Sequence, residues 1–214
     1  TMPELFVDIG AASREEAEAK VQIGDVAVYV TNFVELGGRI SCGALDDRIA
    51  CAAVVEAFRT MKNVHDVYAV FTVQEEVGLR GAGAAAYAIE PDLNISLDVT
   101  GTGDTPKCGR MSVKLGAGAT VKVMDSSVIV PPVVRAFLEE AAAENNVRFQ
   151  PEVLRAGGTD TGAVQRTRGG ILSGCISIPT RYIHSPVETA DIGDYEAAVQ
   201  LVCAAVAKPE LPHR

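Results

Sequence analysis

The chain has no cluster of lysine or arginine, no closely spaced cysteine pair and no long apolar run. Each absence closes a class of function. The 214 residues carry 19 Lys and Arg against 28 Asp and Glu, a formal charge of -9. Nucleic acid and anionic membranes are therefore poor partners, because phosphate binding needs gathered basic side chains. The five cysteines, Cys42, Cys51, Cys108, Cys175 and Cys203, are odd in number and never occur as C-x-x-C. That pattern argues against a disulfide framework or a thiolate zinc site and fits reduced thiols in a cytoplasm. The longest apolar runs are far too short to span a bilayer, and no basic segment followed by an apolar one marks a secretory signal. With 48% hydrophobic and 22% charged residues, the composition is that of a soluble globular protein with a real core.

Residues 1–40 differ from the rest. A charged helix is expected over Ser13–Lys20, with Ser13 as N-cap and a capping-box Glu. Short strands at Val26–Val30 and Asn32–Leu36 end at Gly37-Gly38, so the segment reads as the carboxyl-terminal part of a small β-rich domain. From Ala44 onward strand and helix signals alternate. Helices are expected over Asp47–Met61, Leu79–Ile89, Val130–Asn145 and Gly193–Lys208. Strands are expected over Asp66–Val73, Leu93–Val99, Thr120–Met124, Val147–Leu154 and Gly170–Ile178. The fold class is α/β, a mixed and mostly parallel sheet sandwiched by helices, with residues 41–214 as the main domain.

Acidic residues and one imidazole interrupt this pattern where strands stop. Asp46-Asp47 precedes a helix, Glu75-Glu76 follows the run Val67–Val73, Asp98 ends Leu93–Leu97, and His184 lies in Tyr182-Ile-His-Ser-Pro186. Open α/β sheets bind ligands at the carboxyl ends of their strands. Clustered carboxylates repel one another unless a cation neutralises them, so an O/N-ligand divalent metal site is the natural reading. Adjacent glutamates point in different directions, so one can face a metal and the other a water. Each residue also has a plainer use: Asp46 as an N-cap, His184 and Asp98 as turn residues, the Glu pair on a solvated loop. Gly157-Gly-Thr-Asp-Thr-Gly162 is a Gly-rich helix entry in which Thr159 and Asp160 could line a cleft, and Arg181 is a candidate for recognising an acidic side chain. Neither His65 nor His213 has a role.

Five segments, Gly43-Ala-Leu-Asp-Asp-Arg48, Thr72-Val-Gln-Glu-Glu-Val-Gly78, Ser96-Leu-Asp98, Gly157-Gly-Thr-Asp160 and Ile178–Pro186, resemble in order those of the tetrahedral, or glutamyl and deblocking, metallo-aminopeptidases. The resemblance implies a cocatalytic two-metal exopeptidase with zinc or cobalt, manganese being a further candidate, on the phosphorylase/hydrolase-like aminopeptidase fold. It implies Asp46 as the carboxylate shared by both metals, Glu76 and His184 on one, Asp98 on the other, and Glu75 as general base toward the attacking water. It also implies peptide substrates and a homo-oligomer, from dimer to dodecamer. The family has a further metal-binding histidine well ahead of the shared Asp, and the 45 residues before Asp46 contain none. The expectation is therefore a carboxyl-terminal portion, about two-thirds, of a longer protein, with one metal site short of a ligand. Two other readings stay open: a non-catalytic fragment or assembly protein of the same fold, and a glycoside hydrolase using paired carboxylates.

Overall fold

A computed structural model describes residues 4–213. The chain divides into two compact units, Thr1–Val30 and Thr31–Arg214. The described part of the first unit holds one helix, α1 (Arg14–Glu18), capped by the Ser13 hydroxyl accepting from Glu16 N–H, with Glu16 in turn accepting from Ala12 N–H. No strand forms over Val26–Val30; Ile23, Val26, Val28, Tyr29 and Val30 are instead exposed.

The second unit is built from β1 (Val34–Glu35), β2 (Arg39–Cys42), α2 (Leu45–Thr60), α3 (Arg80–Ile89), β3 (Leu93–Thr100), β4 (Ala119–Met124), α4 (Pro132–Glu144), β5 (Phe149–Val153), α5 (Asp160–Gln165), β6 (Leu172–Arg181), β7 (Glu188–Asp191) and α6 (Ile192–Ala207). The strands form one seven-stranded sheet in the order β1-β2-β7-β6-β4-β5, with β3 paired to β6. The sheet is mixed, as expected, and its two longest ladders are the parallel ones. Only β3–β6 and β4–β5 run parallel, while β1–β2, β2–β7, β4–β6 and β6–β7 are antiparallel. The hairpin β1–β2 joins this sheet through β7, so the boundary expected near residue 40 falls inside the second unit.

Alternation along the strands explains the layering. In β3 the odd positions Leu93, Ile95, Leu97 and Val99 join a core with Val121, Ile176, Ile178, Leu138 and Leu201. Helices α2, α4 and α6 supply the other side of this core through Ile49, Ala53, Phe137, Ala141, Ala198 and Ala205. The even positions Asn94, Ser96, Asp98 and Thr100 point to the opposite face, as a period of two requires. That face is polar yet covered: Thr100, Thr120, Lys122, Ser173 and Ser177 are all buried. Helix α5 lies over it against β3 and β6, and α3 packs on α5 through Ala82, Ala86 and Val164, with Ile171 just ahead of β6 completing the cluster.

Segment 66–73 forms no strand. Tyr68, Phe71 and Val73 are exposed, and the backbone of Val73 is instead used by α3, where Gly81 N–H donates to Val73 O at 3.0 Å. A Cβ on Gly81 would sit 2.6 Å from that carbonyl oxygen, so only glycine permits the approach.

Candidate metal centre

Asp46 and Asp47 lie between β2 and the regular part of α2, both with non-helical backbone angles and joined by a cis peptide bond. Asp98 lies near the carboxyl end of β3, and His184 in the connection from β6 to β7 with φ 62. Glu75 and Glu76 come from the irregular segment that leads into α3, whose N-cap, Leu79, has an amide that donates to Glu75 O.

These residues converge as two groups. Asp46, Glu76 and His184 place one ligand atom each within 4.8 Å of one another, and so do Asp46, Asp47 and Asp98. Within the first group His184 Nε2 lies 3.1 Å from Asp46 Oδ2 and 3.3 Å from Glu76 Oε2. Asp46 belongs to both groups, as a carboxylate between two ions must. Asp47 is the member that sequence reasoning left unassigned, although its adjacency to Asp46 was the available signal. Among the described residues, the second group holds no histidine. His65 is elsewhere, its Nε2 against Lys208 O at 2.9 Å, beside a cavity of about 670 Å³ that also includes Arg168 and His213.

The electrostatics ask for positive charge. Burial first and then repulsion from Glu76 push the Asp46 carboxyl up to about 6. Burial, then Asp98 and Asp46, push Asp47 up to about 10, and burial pushes Asp98 well up. Glu75 rises to about 7 through burial and then Asp160 and Glu76. Asp47 Oδ1 and Asp160 Oδ1 are buried with no hydrogen-bond partner. Buried acceptors left without donors, in a cluster of raised carboxyls, fit divalent cations held by oxygen and one imidazole nitrogen.

A pH dependence follows for the metal-free chain. A carboxyl raised in the folded state binds protons that the unfolded chain has already lost, so stability falls as pH rises. The fall starts near the ordinary carboxyl value, about 4. It continues through about 6 for Asp46 and about 7 for Glu75. With a chelator present, the urea midpoint is expected to be lower at about pH 8 than at about pH 5. An unchanged or higher midpoint at the more alkaline pH would contradict the charge crowding.

The cleft residues fare differently from one another. Asp160 is half-buried, and its Oδ2 accepts from Thr72 Oγ1 at 2.6 Å, which ties α5 to the segment bearing the glutamates. Thr159 is buried and donates to Asp125 Oδ2 at 3.3 Å, so it braces the loop rather than lining a cleft. Arg181 is corrected as an acid-recognising group. Its Nε and Nη2 already donate to the two oxygens of Asp104 at 3.0 and 2.8 Å, which holds Asp104 well below the usual carboxylate range. Glu188, unremarked in the sequence, touches the backbone of two members of the first group.

Residues 1–201 match the model of the M42 glutamyl aminopeptidase family. The chain is 52% identical over 206 residues to an Acetivibrio thermocellus protein provisionally named an aminopeptidase, covering 96% of this chain and 62% of that one. Among solved structures, the TET aminopeptidase of a marine-sediment Thaumarchaeota archaeon superposes with TM-score 0.90 at 35% identity, over 95% of this chain and 60% of that one. The Pyrococcus horikoshii TET1 peptidase, described as able to assemble into a tetrahedron or a large octahedral shell, gives TM-score 0.79 at 34% identity, over 94% and 60%. The chain thus spans about six-tenths of the length of these relatives.

Proposed function

The chain belongs to the M42 glutamyl aminopeptidase family, and we propose that it carries the larger part of the active site of a metal-dependent aminopeptidase acting on peptide N-termini. The observation that carries this reading is the pair of ligand groups joined at Asp46, with Glu75 beside them but in neither. Asp46, Glu76 and His184 would hold one ion, and Asp46 with Asp98 the other, Asp47 being the third member of that second group. Zinc, cobalt or manganese suits these donors; when bound, such ions polarise a carbonyl and lower the pKa of water. Glu75 takes the proton of the attacking water and passes it to the departing amine. Its place beside both groups but in neither supports that role, since a base must keep its own oxygen free to take the proton. The unpartnered Asp160 Oδ1 offers an acceptor for a substrate ammonium.

Assembly and compartment belong to the same proposal. The shells described for the TET1 peptidase support a homo-oligomer. Five cysteines, none of them in a disulfide, support a reducing, cytoplasmic compartment. We read the row of exposed apolar side chains in residues 23–30 as the edge of a β-rich domain completed by other chain.

Metal titration tests the reading. Cobalt or zinc at about 100 times its Kd is expected to raise the unfolding free energy by about 2.7 kcal/mol. One ion is expected to be held tightly and the second weakly, because the Asp46–Asp47–Asp98 group has no histidine. Uptake of no divalent ion would overturn the proposal. Two tightly held ions with turnover of aminoacyl anilides would overturn the ligand shortage.

A further inference from the structure

We propose that Glu188 is a positioning residue which sets the distance between Asp46 and His184 and thereby tunes the ion they would share. Glu188 opens β7 and is 2% exposed. Its Oε2 accepts from Asp46 N–H at 2.9 Å, and its Oε1 accepts from His184 N–H at 2.8 Å. Both carboxylate oxygens are thus committed to the backbones of two residues 138 positions apart in sequence, each of which offers a ligand atom to the same group.

The topology makes this clamp necessary. Asp46 follows β2, and His184 precedes β7, where Cys42 faces Glu188 across the antiparallel pair. The two loops leave the sheet separately. Ala44, Tyr182 and His184 all have φ near 60 without being glycine, so neither loop follows a conformation that its own residues favour. The bonds from Glu188 link the two loops directly, and the side chains then meet at 3.1 Å. An acceptor-only group is required at this place, since both facing groups are N–H donors. Glutamine would present its amide NH2 to one of them.

This inference rests on the metal-centre reading, and its test separates the two. Cobalt titration, read by visible absorption, is made on wild type, Glu188→Gln and Glu188→Asp. Loss of an outer-shell partner costs about 10–100-fold in metal affinity. Glu188→Gln is expected to weaken binding by that factor and to shift the cobalt spectrum. Glu188→Asp, too short to reach both amides, is expected to fall between. If wild type binds no cobalt, the metal-centre reading fails. If wild type binds and folded Glu188→Gln matches it in affinity and spectrum, the positioning role fails. Amide exchange in wild type supplies a measurement that needs no variant: Asp46 and His184 N–H are expected to be protected, and free exchange of both would overturn the clamp.

Discussion

Glu75→Gln is expected to lower kcat on an aminoacyl anilide by about 10²–10⁴-fold in whatever assembly of this sequence turns over peptide, without lowering its metal content. Gln keeps the size and hydrogen-bonding reach of Glu75 but cannot take a proton. Glu75 is outside both ligand groups, so its loss leaves their donors intact. Glu76 behaves oppositely: its carboxylate lies 3.3 Å from His184 Nε2, and Glu76→Gln should release metal before it alters anything else. Kinetics and metal analysis on the two variants separate these roles. Equal metal loss in both would show that the glutamates do not divide the work.

The second large effect lies in the buried polar layer. Lys122→Met is expected to destabilise the fold by about 3–5 kcal/mol, the cost of leaving a buried charge without its partner. Lys122 and Glu152 are fully buried and in contact, and Lys122 Nζ is also 3.5 Å from Asp125 Oδ2. Glu152 further accepts from Thr100 and Thr120 hydroxyls at 2.9 and 2.6 Å. Removing the cation strands Glu152, whereas Asp125 keeps bonds from Ser127 N–H, Val128 N–H and Thr159 Oγ1. The double variant Lys122→Met, Glu152→Gln should therefore recover much of the loss, because it removes the stranded charge while the amide oxygen still accepts from one threonine hydroxyl and the amide NH2 faces the other. Urea unfolding of the three proteins measures this. A single variant as stable as wild type would mean that Glu152 finds another donor.

Local patterns exposed what depends on one segment at a time. The apolar run Leu93–Leu97 ending in an acid marked a strand over Leu93–Val99, now β3, and apolar spacing found α2 and α4 nearly to their ends. Segment 66–73 shows the limit. Its Val, Tyr and Phe content has strand propensity, but a strand also needs a neighbour, and among the described residues none pairs with it. The short strands β2 and β7 failed in reverse: Arg-Ile-Ser-Cys and Glu-Thr-Ala-Asp have weak strand composition, yet they pair with each other. Those two strands bring three of the four antiparallel ladders, β1–β2, β2–β7 and β6–β7, so missing them hid most of the antiparallel part of the sheet.

The site divides similarly. Asp46, Glu76, Asp98 and His184 stood out as charges where apolar runs stop, and the structure brings all four together. Glu188 did not stand out, because an acid near Ser-Pro looks like a solvated loop residue and only the β2–β7 pairing buries it. Lys122 carried a visible signal, a cation inside Thr-Val-Lys-Val-Met, but its partner Glu152 comes from another strand. Arg181 misled for the opposite reason, since nothing local tied it to Asp104, 77 residues earlier.

The alternation along β3 has one more consequence. A slip of β3 by one residue against β6 would turn Asp98 into the aliphatic layer and Leu97 or Val99 toward the carboxylates. The slip would turn a carboxyl into the apolar layer and withdraw Asp98 from the candidate metal centre at once. On the proposed metal-centre reading, folding accuracy and chemical competence therefore share one checkpoint in this strand: a misregistered molecule would be unstable and would also lack one donor of the Asp46–Asp47–Asp98 group.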